Sequence, residues 1–109
     1  MARDAGLEEM IDEILADQPG VSTKAMFGGL AWLMDGNLLC AGGTRGMLVR
    51  LGKGQDGWAT VLPGVEAMVM KGRNMPGWVW VSEDAYGDDE LRGRLMDAAI
   101  AFVRTLPPK

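Results

Sequence analysis

Histidine is absent from the 109 residues, and cysteine occurs once. The first absence removes the usual general base and the commonest metal ligand. The second rules out an internal disulfide. The N-terminus carries Glu8, Glu9, Asp12 and Glu13 among its apolar residues and does not read as a signal peptide. Together these features point to a reducing, cytoplasmic setting. Ser22 and Ser82 are the only serines, and neither has the context of a nucleophile elbow. No uncharged apolar run approaches the ~18 residues of a membrane span. Nor is there an excess of positive charge: the formal net charge is −4, which disfavours a broad nucleic-acid footprint.

The remaining candidates for chemistry read as structural. Cys40 sits in an apolar strand without a histidine partner and reads as a small buried hydrophobe. The paired acids Glu8/Glu9, Asp12/Glu13 and Asp88/Asp89 lie on solvated helix faces, without a cleft to separate their pKa values. No zinc or calcium ligand spacing occurs. Gly52-x-Gly54-x-x-Gly57 has the form of a dinucleotide fingerprint, but Pro63 follows too soon for the required long helix, so it reads as a loop. The expectation is a non-catalytic chain with no cofactor and no metal.

What is present suits a globular protein. Hydrophobic residues make up 48% and charged residues 24%, and no linker or repeat divides residues 1–109, which read as one domain. Leu7, Met10, Ile11, Ile14 and Leu15 form one helical stripe, with Asp4 as its N-cap and Gln18-Pro19-Gly20 as its stop. From Val21 the pattern changes to short apolar runs broken by glycine. Val21 to Met34 reads as one strand interrupted at Gly28-Gly29, a sign of a bulge or a close backbone approach. Asp35-Gly36-Asn37 is a tight-turn signal, followed by strands at 38–41 and 47–51. Trp58 to Leu62 makes a helical turn ended by Pro63-Gly64. A strand at 65–71 follows, then a turn over 72–77 and a last strand, Trp78 to Val81. Asp88, Asp89 and Glu90 open a closing helix with an inner stripe of Leu91, Leu95, Ala98, Ala99, Phe102, Val103 and Leu106. The class is α+β: a largely antiparallel five-stranded sheet in the order helix, three strands, helix, two strands, helix, with the helices on one face.

Several segments in this order resemble one family. Met26-Phe27-Gly28-Gly29-Leu30 with the downstream Gly36, Leu48-Val49-Arg50, Lys71-Gly72-Arg73-x-Met75-x-Gly77-Trp78-Val79-x-Val81 and Phe102-Val103-x-x-Leu106-Pro107 are similar to the motifs of the TfoX/Sxy N-terminal domain. The resemblance covers nearly the whole chain. It implies an α-β(3)-α-β(2)-α fold like that of secretion chaperones. It also implies a regulatory role, since the family's namesakes regulate natural competence together with a cyclic-AMP receptor protein. Those longer members carry a second, C-terminal domain that this chain is expected to lack.

Charge and apolar residues supply the candidate binding positions. Residues 1–20 hold Arg3 against six acids, whereas residues 21–75 hold six bases against three acids. Lys24, Arg50, Lys71 and Arg73 would form a positive patch if they converge. Met68 and Met70 share a strand face opposite Val65, Ala67 and Val69, and Trp78 and Trp80 share another. If helices cover the valine side, the methionines face outward, and an exposed apolar sheet face marks a partner site. The expected partner is a protein or a second copy whose acidic helix meets the basic sheet. The alternative is a small-molecule or anion (nucleotide) sensor using Arg50, Lys71 and Arg73. Direct nucleic-acid or membrane contact is not expected.

Overall fold

The computed structural model describes residues 5–26, 29–43 and 45–109, with Met70 described by its backbone alone. In chain order the elements are α1 (Ala5–Leu15), β1 (Val21–Met26), β2 (Gly29–Met34), β3 (Asn37–Gly43), β4 (Gly46–Arg50), α2 (Gly57–Thr60), β5 (Val65–Met70), β6 (Arg73–Val81), α3 (Glu83–Tyr86) and α4 (Asp89–Val103). The strands form one antiparallel sheet in the order β1-β2-β3-β4-β6-β5, so β1 and β5 are its edges.

The α+β class holds, but the sheet has six strands rather than five. Met26 pairs with Gly29 and Val21 with Met34, so the segment read as one interrupted strand is a hairpin. Alternation of side chains looks the same along one strand as along two, and a glycine pair permits reversal as readily as a bulge. Phe27 and Gly28 lie outside the described residues. Gly29 does show the close approach: a Cβ there would fall 1.9 Å from the Gly42 carbonyl oxygen.

The later hairpin is also tighter than expected. β6 starts at Arg73, and the turn contracts to Lys71 and Gly72, whose φ angles are +52° and +76°. Asp35 and Gly36, at +52° and +83°, make the same kind of turn between β2 and β3. Positive φ at both positions gives the twist that fits a two-residue hairpin. Pro76 is accommodated because the β5–β6 ladder is irregular there, passing from Ala67↔Val79 to Val69↔Asn74. Gly77, at φ +86°, accepts a 2.6 Å hydrogen bond from the Leu51 N–H.

The helices cover one face. Leu7, Ile11 and Leu15 of α1, and Leu95, Met96, Ala99 and Val103 of α4, pack on Trp32, Met47, Val49, Val79 and Val81. Each fully buried aliphatic side chain contributes roughly 1.5–3 kcal/mol. A bulge beside Trp32 turns both Leu39 and Cys40 toward this core. The Trp32 indole N–H donates to the Asp12 carboxylate over 2.8 Å, tying α1 to β2. The expected N-cap of α1, Asp4, lies outside the described residues. Asp88 caps α4, accepting from the Glu90 and Leu91 N–H groups at 3.0 and 3.1 Å. The short helix α3 was not anticipated, and Leu106 falls past the end of α4. The chain end folds back onto the β2–β3 turn, where the Asn37 amide donates to the Pro107 carbonyl and the Lys109 N–H to that of Asp35. Among the described residues no helix is long and apolar enough to cross a membrane.

Candidate functional site

Among the described residues the sheet's second face carries no helix, and its residues follow from the register. Lys24, Ala31, Ala41, Leu48, Trp80 and Glu66 oppose one another in turn, forming one row across all six strands. A neighbouring row sets Arg50 against Trp78. Directly opposed residues in antiparallel strands share a face, so both tryptophans and both of these basic residues lie on the uncovered side.

That side is not the open apolar surface expected. Ala31, Ala41, Leu48 and Met68 form a second buried cluster, with Met26, Leu38, Met75, Trp78 and Trp80 packed half-buried around it. Met68, expected to face outward, is 3% exposed. The valine side is not uniformly covered either: Val65 is in the main core, while Val69 is 50% exposed. The alternation itself holds, with Met68 on the face of Glu66 and Val65 on the other, but side chains of neighbouring strands cover Met68.

The basic residues do not converge as a group. Lys24 stands on the outer edge, five strand spacings from Glu66, or roughly 24 Å. Lys71 and Arg73 sit exposed at the tip of the β5–β6 hairpin. Arg50 is held in place: its guanidinium donates to the Leu38 carbonyl at 3.3 Å. It also stacks 5.1 Å from the Trp78 ring centre and 5.5 Å from that of Phe102. Burial lowers its pKa from the usual arginine range. These contacts make Arg50 a packing residue on the sheet, whereas Lys71 and Arg73 stand at the hairpin tip.

A different arginine completes the tryptophan surface. Arg45, in the turn before β4, lies 4.7 Å over the Trp80 ring, a cation–π geometry worth roughly 0.5–2 kcal/mol. Arg45, Glu66, Trp80, Ser82 and Gly64 line a cavity of about 320 Å³. The Trp80 Nε1 is shielded from solvent and has no hydrogen-bond partner among the described residues, a state that costs about 1–3 kcal/mol. Arg45 escaped the sequence reading because only the β4–β6 register brings its turn beside Trp80.

Gly64 and Ser82 also line a larger cavity of about 520 Å³, with Leu62, Pro63 and Leu91 as apolar walls and Asp84, Asp88, Glu90 and Arg94 around them. Arg94 stacks 4.7 Å from the Trp58 ring. Charge is therefore sorted by layer. The four helices hold nine acids against Arg92 and Arg94, while the six strands hold Lys24, Arg50 and Arg73 against Glu66. Gly36, Gly72 and Gly77 of the motif segments all occupy positive-φ positions at turns or close contacts. No family model, no curated protein and no solved structure matches this chain.

Proposed function

We propose that this chain is a non-catalytic interaction module of the TfoX/Sxy N-terminal kind, receiving an acidic protein surface on the uncovered face of its sheet. The observation that carries this reading is the pair of half-buried tryptophans stacked by arginines on a net-positive face. Trp and Arg dominate binding hot spots because they combine large contact area with directional polar groups. The acidic helix layer on the opposite side repels an acidic partner and so sets the docking orientation. The resemblance of the Met26–Leu30 and Lys71–Val81 segments to regulatory domains supports a signalling role.

Titration of isotopically labelled protein with a short glutamate-rich peptide tests it. Amide shifts concentrated at Arg45–Arg50 and Arg73–Trp80, and lost in Arg45→Glu, are the expected result. Shifts on α1 or α4, or unchanged binding in Arg45→Glu, refute it. A second reading, a small-anion sensor, is favoured by the Trp80 N–H, unpartnered among the described residues, on a side chain that lines a cavity with Arg45. Phosphate or nucleotide moving the Trp80 indole resonance, with no response to the peptide, selects that reading instead.

A further inference from the structure

We propose that two copies of this chain pair along β5 about a two-fold axis, each β5–β6 hairpin tip seating beside the acidic cavity of the other. β5 is an edge strand whose ladder partner is β6 alone, so its outer backbone groups are open to a further strand.

The two edges are not equivalent. β1 carries Lys24 near its middle, and antiparallel self-pairing would bring that lysine close to its own copy, a like-charge contact that destabilises. β5 carries complementary features at its two ends. Val61 and Val69 are the exposed large hydrophobics among the described residues, at 79% and 50%; Val69 lies in this strand and Val61 four residues before it. At its start lies the cavity of Leu62, Pro63 and Leu91 rimmed by Asp84, Asp88 and Glu90. At its end lie Lys71 and Arg73, which make no ion pair among the described residues.

Within one chain these ends cannot meet, since six residues of extended strand separate them by roughly 20 Å. Antiparallel pairing brings them together. A register with Ala67 on the two-fold axis sets Pro63 opposite the partner's Lys71 and Val65 opposite the partner's Val69. Each tip then meets the acids beside the partner's cavity, and the exposed Val69 meets the partner's Val65. The contact is the same from either copy, so it closes as a dimer and does not propagate into a filament. It leaves Trp78, Trp80 and Arg45 on the sheet face, apart from the pairing edge.

Sedimentation at rising protein concentration tests the pairing. The expected result is a dimer whose dissociation constant rises roughly tenfold or more as salt screens the surface charges. Lys71→Glu with Arg73→Glu, and separately Asp84→Lys with Glu90→Lys, should each give monomers with unchanged circular dichroism. Mixing the two variants should restore dimers, because both contacts become complementary again. A chain that stays monomeric at the highest concentration in low salt overturns the proposal. So does a dimer insensitive to both charge reversals, or one that Arg45→Glu alone dissociates.

Discussion

Gly77, Gly72 and Gly93 show how differently one residue type can be constrained. Gly77 combines φ +86° with a Cβ position only 2.3 Å from the Gly52 carbonyl carbon and 2.5 Å from the Lys53 nitrogen. Both obstacles are backbone, so Gly77→Ala should cost more than the ~1–2 kcal/mol of left-handed strain alone. Gly72 has the positive φ but no atom within 4 Å of its Cβ position, so Gly72→Ala should cost only that strain. Gly93, in α4, also meets nothing, and Gly93→Ala should stabilise by about 1 kcal/mol. Thermal unfolding of the three variants should rank them in that order. Cys40 gives the pH test. Its burial pushes the thiol pKa up, so the folded chain keeps the proton where the unfolded chain releases it. The resulting stabilisation is complete below the unfolded value of about 8.5 and is lost as pH rises above it. Cys40→Ala should therefore flatten the alkaline decline in stability, and the native thiol should resist disulfide reagents until the chain unfolds.

The elements divide by how locally they are specified. The helical stripe of α1 was legible because its residues recur at helical spacing, and the acids opening α4 were legible because they suit a helix N-terminus. Asp88→Ala should remove the two capping bonds and cost about 0.5–2 kcal/mol, read as a lower denaturant midpoint with an unchanged slope. Strand count was less legible. Period-two alternation persists through a reversal when the turn is short, so Val21 to Met34 looked continuous until Met26 was seen to pair with Gly29. The extent of β6 was hidden for the opposite reason: Pro76 and Gly77 look like turn residues but sit where the ladder is irregular. The α3 turn, four residues long, is too short to show a period.

For the whole molecule, the two proposals occupy different surfaces and make separable predictions: acidic-peptide shifts on the tryptophan face, and salt-sensitive dimers through β5. Trp78 and Trp80 were placed on one face from their spacing alone, because strand alternation dictates it. Arg45 beside Trp80 was not legible, since strand order and register join residues that are 35 positions apart. The same register holds Lys24 on the far edge and commits Arg50 to packing, so the patch suggested by composition is divided. Local pattern by itself determined the α+β class, both amphipathic helices and the tight turn at Asp35-Gly36, because these depend on backbone sterics and periodicity within a few residues. The tertiary structure decided the sixth strand, the burial of Met68 and which charged groups become neighbours. Those outcomes depend on long-range pairing, whose closure entropy and register are set by the whole chain.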